Sequence, residues 1–334
     1  MVRAAPPKEF ETGALIDFLA DGWGLPVEAV HYAAVGAGSY HWIVSDGEGH
    51  CGFATADDLD VKPWLGETRE SVFEGLSRSF GTAVALRNDG LGFVTAPIPT
   101  SSGETLLRFG SHYTVALFPF VNGQAGTFDH YETAERAALL AMLAELHQAT
   151  PVVASVARRV DLGVPGRRRL EAALQELNQT WAGGPFSEPA RKALAPHAAY
   201  VGELLSLFDR LSADVATRSS DWVVTHGEPH GGNLMRTDEG YVLVDWDTVA
   251  LAPRERDLWM LAEETGTYTD ATGYEPDEVG VNFFRLTWDL EDIAAFTGEL
   301  RSPHEYDDDT EKAYGALTYY LTTRERWAPL LDSR

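Results

Sequence analysis

The 334-residue chain is poor in cysteine and has no long apolar run. Its one cysteine, Cys51, excludes an internal disulfide and a cysteine-based zinc cluster, and it agrees with a reducing compartment. No apolar region resembles a secretory signal, and no window approaches the roughly 20 apolar residues that a bilayer crossing needs. We therefore expect a cytoplasmic protein with no membrane partner.

Positive charge is also scarce. The chain has 51 Asp and Glu against 26 Lys and Arg, a formal charge of −25, and only four of its residues are lysines. This excess repels nucleic acid and anionic membranes and attracts cationic partners, although it is also typical of a protein that is merely soluble. A hydrophobic content of 44% is enough for one large core or two medium ones.

The sequence pattern predicts an α+β fold with two lobes, residues 1–121 and 122–334. The first lobe is predicted to be an antiparallel sheet plus a helix, with two strands in 28–60 joined by a hairpin at "SDGEGH". Its other expected elements are helices at 9–21 and 66–80 and strands at 91–95, 104–110 and 113–121. The second lobe is predicted to be helical, with a helix from 129 that Pro151 stops and further helices at 167–181, 187–213, 255–265, 277–299 and 309–323.

One motif interrupts the helical lobe. In "VVTHGEPHGGNLM" the residues His226, Glu228 and Asn233 have the spacing of a kinase catalytic loop, and Asp245 follows at the end of "YVLV". Phosphoryl transfer to a hydroxyl needs a carboxylate to orient the nucleophile and oxygen ligands for Mg²⁺. A tight hairpin between Asn233 and Asp245 would bring both to the same metal ion. The combination predicts a phosphoryl-transfer site.

"THGEPHGGNL" followed by "LVDWDTVALAPRERDLW" resembles the aminoglycoside phosphotransferase and choline kinase superfamily, in particular the spectinomycin phosphotransferase type. The resemblance implies a protein-kinase-like fold and ATP or GTP as phosphate donor. It implies that Glu228 is the catalytic carboxylate, that His226 braces the loop, and that Asn233 and Asp245 hold Mg²⁺. Asp247 and Asp257 are expected to anchor the loop.

The same resemblance places the nucleotide in the first lobe. "VGAGSYHW", with Gly36, Gly38 and Ser39, stands where the family has its phosphate-covering loop. "LFPFVNG" resembles the hinge, so that backbone groups of Phe118, Phe120 and Val121 are expected to pair with the adenine.

The chain departs from the family pattern at two positions. The family's third-strand lysine is absent, because Thr55 stands near its place, and we expect Lys62 to replace it with Glu70 or Glu74 as partner; otherwise an arginine or the metal alone supplies the charge. Glu228 replaces an aspartate. Its extra methylene changes reach by roughly 1.5 Å and leaves the acid chemistry almost unchanged.

The acceptor is expected to be a small, hydroxylated and cationic molecule, since acids and aromatics accompany one another on the later helices. The candidate substrate residues are Trp259, Glu263, Trp288, Asp289 and Asp292. The leading hypothesis is an antibiotic O-phosphotransferase for an aminoglycoside or a spectinomycin-like aminocyclitol, which would confer resistance. The alternatives are a kinase for a primary metabolite, a kinase-fold binding protein without transfer, and a nucleotide-free scaffold. The sequence does not fix the oligomeric state.

Overall fold

The computed structural model describes residues 3, 5–36, 38–128 and 130–332. Contacts within the chain divide it into two compact units, and the first comprises residues up to Val160 together with Trp222–Glu275. The second unit comprises Asp161–Asp221 and the chain from Pro276. The predicted lobes 1–121 and 122–334 are a different division and remain a prediction.

The first unit begins with a five-stranded antiparallel sheet in the order β1-β2-β3-β5-β4. Its strands are β1 (Ala29–Ala33), β2 (Tyr40–Asp46), β3 (Gly49–Asp58), β4 (Leu107–Phe109) and β5 (Tyr113–Phe118). The predicted hairpin at "SDGEGH" is confirmed, because β2 pairs with β3 and the Asp46 carboxylate accepts hydrogen bonds from the amides of Glu48 (2.8 Å) and Gly49 (2.9 Å). The fold class predicted for this region is therefore confirmed.

Two helices cover the sheet, α1 (Thr12–Trp23) and α2 (Arg69–Asn88). Successive residues of β5 point to opposite faces of the sheet. Val115 and Leu117 pack in the hydrophobic cluster that includes α1, whereas Ala116 and Phe118 pack in the cluster that includes α2. On α2, Val72, Leu76 and Phe80 are buried at the predicted four-residue spacing, and each contributes about 1.5–3 kcal/mol by burial. The helix continues two turns beyond the predicted end at residue 80.

Two strand predictions need correction. The segment 91–95 is not a strand but a turn with a single bridge, Val94 to Leu243, and the strand predicted at 104–110 is only three residues long. In the first case the Val94 amide donates to Leu91 O (3.1 Å) within the turn, and the bridge consists of the bonds from the Leu243 amide to Phe93 O (2.8 Å) and from the Thr95 amide to Leu243 O (3.1 Å). Apolar content predicted burial correctly there, but not a sheet partner.

The rest of the first unit includes the elements that flank the motif "VVTHGEPHGGNLM". Its elements are β6 (Gln124–Ala125), α3 (Thr133–Gln148), α4 (Thr150–Val153), β7 (Val223–Thr225), β8 (Leu234–Thr237), β9 (Gly240–Leu243), β10 (Ala250–Ala252), α8 (Glu255–Leu258) and α9 (Gly266–Thr272). Pro151 does end α3, and it then occupies the first turn of α4, where its missing N–H costs no helical bond. The helix predicted at 255–265 is only α8 followed by a 3₁₀ turn.

The second unit is helical. Its elements are α5 (Arg167–Gln175), α6 (Ser187–Leu194), α7 (Ala198–Ala216), α10 (Glu278–Arg301), α11 (Asp308–Thr322) and α12 (Arg324–Asp332). The helix predicted at 187–213 is broken by a 3₁₀ turn, Ala195–His197, which contains a proline. Helix α10 packs against α5, α7 and α11. Among the residues that the structure describes, no helix combines the length and apolarity needed to cross a bilayer.

Candidate active site

The loop between β7 and β8 is fixed by His226. This side chain is fully buried, its Nε2–H donates to Val244 O at 2.9 Å, and its Nδ1 accepts from the Glu228 amide at 3.3 Å. Burial lowers the pKa of His226, so the ring is neutral and both nitrogens are used in these roles. His226 thus joins the end of β7 to the chain after β9 and sets the path of the backbone into Glu228.

Asp257, on α8, holds the same loop from the other side. Its two carboxylate oxygens accept hydrogen bonds from the backbone amides of His226 (2.8 Å) and Gly227 (2.6 Å), and His147 Nε2 lies 3.1 Å from Oδ2. Burial opposes the charge of this group, but the hydrogen bond from His147 and nearby positive charge lower the pKa of Asp257. Asp257 therefore anchors the loop, as expected, through the two residues directly before Glu228.

Asn233 is oriented by both of its amide hydrogens. Nδ2 donates to Glu228 O at 2.9 Å and lies 3.3 Å from Nε2 of His230. Burial lowers the pKa of His230 to about 4, so Nε2 is free to accept at neutral pH. Both N–H groups are thus directed into the loop, and the remaining Oδ1 is the atom suited to a metal ion.

Close packing explains the glycine pair of the loop. A Cβ on Gly231 would come within 2.1 Å of Thr127 O, so no side chain fits there. Neither Gly231 nor Gly232 has a positive φ, and the two residues lie in a 3₁₀ turn, Gly231–Asn233. The glycine is needed because the loop backbone touches the segment after β6.

Asp245 follows β9 in an unusual backbone conformation. Its φ of 66° is the one positive value among the non-glycine residues that the structure describes. The side chain opens to solvent on one side, yet surrounding protein atoms, followed by the carboxylates of Asp247 and Glu228, raise the pKa of Asp245 well above its usual range. A site that crowds carboxylates in this way suits a divalent cation.

Lys62 lies inside the first unit with only 2% of its surface exposed. Its Nζ is 2.9 Å from Asp57 Oδ1 and 2.7 Å from Asp247 Oδ2, and it donates to Ser39 Oγ at 3.3 Å. Burial works against the charge, but Asp247 and Asp57 raise the pKa of Lys62 above its ordinary value. The expected partners Glu70 and Glu74 are corrected: Glu70 pairs with Arg108, and the partners of Lys62 are aspartates.

Thr55, which stands near the place of the expected third-strand lysine, forms a hydrogen bond with a histidine. Thr55 Oγ1 lies 3.1 Å from Nδ1 of His41 on β2, and burial lowers the pKa of His41 to about 4. His41 in turn lies beneath the glycine loop, where a Cβ on Gly36 (φ +70°) would come within 3.2 Å of its Nε2. A neutral pair thus replaces the cation that the family has there.

The predicted nucleotide residues fall into two groups. Ser39, after Gly38 in the loop, is buried and donates to Asp57 Oδ1 at 2.5 Å, so the structure joins it to Lys62; Ala37 lies outside the described residues. Phe118 is the last residue of β5 paired with β3, and Phe120 and Val121 follow it outside the sheet, with Phe120 4.9 Å from the ring of His50. No hydrogen-bond pairing within the sheet continues past Phe118 in the described chain, and the hinge role of these residues stays a prediction.

The predicted substrate residues belong to both compact units. Trp259 and Glu263 belong to the first unit, whereas Trp288, Asp289 and Asp292 belong to α10 in the second. The structure removes Asp289 from the candidates, because it is buried and accepts hydrogen bonds from Trp327 Nε1 (2.8 Å) and Arg326 Nη1 (2.9 Å).

Asp292 remains a candidate for the acceptor site. Burial raises its pKa to about 6, and it is hydrogen-bonded to Tyr320 and Trp288. An acid beside two aromatic rings is the arrangement that attracted the prediction.

Sequence reasoning missed two residues of the site, Asp57 and His230. A signal existed for Asp57: it lies two residues beyond Thr55, hence on the same face of β3, and it is a carboxylate where the lysine is missing. His230 stands inside the quoted motif, but only the position of its ring shows that it orients Asn233.

A sheet with a glycine loop, a buried lysine paired to carboxylates, and a His-x-Glu loop followed by Asn and Asp define a phosphotransferase of the protein-kinase-like class. The sequence profile of the phosphotransferase enzyme family matches residues 69–323, and the chain belongs to this family. It is therefore a small-molecule phosphotransferase, and the resemblance stated from the sequence is confirmed.

Three proteins illustrate what the chain is similar to. Protein StrN of Streptomyces griseus is 30% identical over 256 residues, which cover 73% of this chain and 76% of that protein. The structure of a spectinomycin phosphotransferase in complex with ADP and spectinomycin is similar with a TM-score of 0.73 at 15% identity, over 95% of this chain and 99% of that one. A microcompartment-associated aminopropanol kinase gives a TM-score of 0.66 at 15% identity, over 96% of this chain and 99% of that one. At these identities the two structures show the fold.

Proposed function

We propose that the protein transfers the γ-phosphoryl group of ATP to a hydroxyl of a small cationic molecule, with an aminocyclitol or aminoglycoside antibiotic as the leading acceptor class. The observation that carries this proposal is the loop in which His226 and Asp257 fix the backbone before Glu228 and Asn233 presents one free oxygen. The ADP complex of the similar spectinomycin phosphotransferase favours ATP over GTP. A cytoplasmic location and a role in resistance belong to the same proposal.

Glu228 is the proposed catalytic residue. The acceptor hydroxyl passes its proton to the Glu228 carboxylate while its oxygen bonds to the γ-phosphorus; the bond from that phosphorus to the β,γ-bridging oxygen breaks, and ADP leaves. The backbone of Glu228 is held at both ends, since its amide donates to His226 and its carbonyl accepts from Asn233. Because the backbone is fixed, the longer side chain of glutamate shifts the carboxylate outward by a defined distance. Pro229 further restricts the backbone conformation of Glu228.

Asn233 and Asp245 are the proposed holders of Mg²⁺. Among the residues described, no group of three or more His, Cys, Asp or Glu is arranged as a metal cage. Two protein ligands suit Mg²⁺ nevertheless, because it is commonly bound by one or two carboxylates plus substrate phosphates and water. When bound, Mg²⁺ would neutralise charge on the phosphates. The crowded carboxylates around Asp245 fit such an ion.

The nucleotide is proposed to lie along Gly36, Gly38 and Ser39 and to reach the hinge residues Phe118, Phe120 and Val121. Lys62 is the cation expected at this site, and it is paired with Asp57 and Asp247. The acceptor is proposed to meet a negative surface, in agreement with the formal charge of −25, and Trp259, Glu263, Trp288 and Asp292 remain its candidate contacts. An amine beside Asp292 and the ring of Trp288 would gain both ionic and cation–π attraction.

Radiolabelled phosphate transfer tests the proposal. Purified protein with Mg²⁺ and γ-labelled ATP is incubated with aminocyclitols, aminoglycosides, amino alcohols and nucleosides, and we expect label in an amine-bearing acceptor. Glu228→Gln should lower turnover at least 100-fold with little change in ADP affinity. The matched control is Glu239→Gln, in the exposed β8–β9 turn, which should act as wild type. Wild-type turnover by Glu228→Gln would refute the assignment of the base.

A second candidate is a kinase-fold binding protein without transfer. The neutral Thr55–His41 pair in the lysine position favours it. Mg²⁺-dependent ADP binding without label in any acceptor of the panel would select this candidate, and label in one of them would exclude it.

A further inference from the structure

The ammonium group of Lys62 is enclosed by protein partners. It donates hydrogen bonds to Asp247 Oδ2 at 2.7 Å and to Ser39 Oγ at 3.3 Å, and it forms an ion pair with Asp57 Oδ1 at 2.9 Å. With the side chain 1% exposed, a phosphate oxygen could reach Nζ only by displacing one of these partners. The geometry is that of a lysine that links Asp57 to Asp247 inside the protein, and not of a cation presented to a ligand.

Asp247, one of the two aspartates that Lys62 links, lies two residues after the proposed metal ligand Asp245. Asp245 has a left-handed backbone conformation, which is unfavourable in a non-glycine residue and persists only where the surroundings impose it. Two anchors impose it here. Trp246 is fully buried and its Nε1 donates to Leu243 O at 2.9 Å, and Asp247 is held by Lys62.

Asp57 completes the arrangement from β3. It receives a hydrogen bond from Ser39 on the same oxygen that contacts Lys62, so the carboxylate, the lysine and the glycine loop are fixed together. Asp57 is itself buried, with 1% of its surface exposed. The lysine is thereby held in place to bind Asp247.

We propose that Lys62 is a positioning residue for Asp245: held by Asp57 on β3, it binds Asp247 and so fixes the strained segment that presents Asp245 to the metal. This inference rests on the proposed function. It assigns to Asp57 the role that a helix glutamate was expected to fill, and it predicts that loss of Lys62 weakens metal binding and leaves the binding of metal-free nucleotide almost intact.

The test uses the full chain with Lys62→Met combined with Asp57→Asn, which removes one buried charge of each sign and keeps Asp247. Two affinities are measured: Mn²⁺ for the protein–ADP complex, by the electron paramagnetic resonance signal of free Mn²⁺, and ADP in EDTA, by calorimetry. We expect the Mn²⁺ dissociation constant to rise 10- to 100-fold, as for loss of an outer-shell partner, and that of metal-free ADP to change less than about threefold.

Two results would overturn the inference. A larger loss of metal-free ADP affinity would show that Lys62 contacts phosphate, and a Mn²⁺ affinity that falls less than tenfold, or rises, would show that Asp247 does not act through Lys62. Leu19→Ala, in the α1 cluster, is the control for general destabilisation and should leave both affinities unchanged. If the double variant does not fold, Asp247→Asn is held to the same two criteria.

The outcome is separable from the proposed function. If wild-type protein binds ADP and Mn²⁺ but transfers no phosphate, the proposed reaction is refuted. The role of Lys62 is then still tested by the two affinities. Wild-type protein that binds no ADP with Mg²⁺ would remove both.

Discussion

Replacing Asp257 with asparagine tests whether the catalytic loop is held from α8. The native carboxylate accepts hydrogen bonds from two buried backbone amides, at 2.8 and 2.6 Å. Hydrogen bonds to a charged group contribute about 1.5–3 kcal/mol each. Asparagine keeps one oxygen and turns an NH₂ group towards the other amide, so we expect the free energy of unfolding to fall by about 2–4 kcal/mol.

The same change should displace Glu228, because both amides belong to the two residues before it. A displacement of about 1 Å can lower a rate roughly 100-fold. We therefore expect a turnover near 1% of wild type with a similar KM for ATP, measured by coupled ADP release beside urea denaturation. Glu255→Gln is the matched control, since Glu255 is a buried acid of the same short helix and accepts from Tyr274 at 2.6 Å. Reduced stability with wild-type turnover would refute the idea that this clamp places the catalytic carboxylate.

Three further outcomes follow from the contacts described. His230→Phe should raise the Mg²⁺ concentration for half-maximal activity about tenfold, because the Asn233 amide loses its second acceptor, whereas His230→Gln keeps an acceptor and should stay near wild type; equal effects would contradict this role. His41 has a pKa of about 4 in the folded protein, below its unfolded value, so it lowers the free energy of unfolding as the pH falls from about 6.5 towards 4. Between pH 7 and pH 5, His41→Gln should therefore lose about 2 kcal/mol less free energy of unfolding than wild type in denaturation experiments. An equal loss in both proteins would refute the lowered pKa. Asp289→Ala should lower the free energy of unfolding by about 1–3 kcal/mol, since it leaves the buried Trp327 Nε1 without its acceptor, and should keep the KM for ATP; a KM change without loss of stability would return Asp289 to the ligand site.

The catalytic loop was the part most open to sequence reasoning, because its chemistry fixes residue types at fixed spacing within one short segment. His226, Glu228, Asn233 and Asp245 all lie on the loop and hairpin expected of them, although their roles in catalysis stay predictions. The "SDGEGH" hairpin was predictable for a similar reason: the turn residues carry their own local hydrogen bonds.

Interactions between distant residues were not predictable. Lys62 meets Asp247, 185 positions away, and no local pattern specifies such a partner, so helix glutamates were chosen in its place. Asp289 shows the reverse error: acids and aromatics on one helix suggested a ligand site, and the fold supplies Arg326 and Trp327 as partners from α12. The apolar segment 91–95 was likewise predicted as a strand from its residue types. Residue types alone do not distinguish a segment with a single bridge from a strand that is paired along its whole length.

The enclosure of Lys62 also determines how the protein responds to chemical labelling. Reagents that acylate kinases through a nucleotide-bound lysine need a neutral amine that can reach the reagent. Lys62 offers neither, because two aspartates keep it protonated and almost no surface is exposed, whereas Lys8, Lys192 and Lys312 are exposed. An amine-reactive ATP analogue should therefore mark these outer lysines and leave the lysine of the site unmodified, so that labelling surveys based on such reagents would count an intact enzyme of this kind as a protein without a nucleotide site.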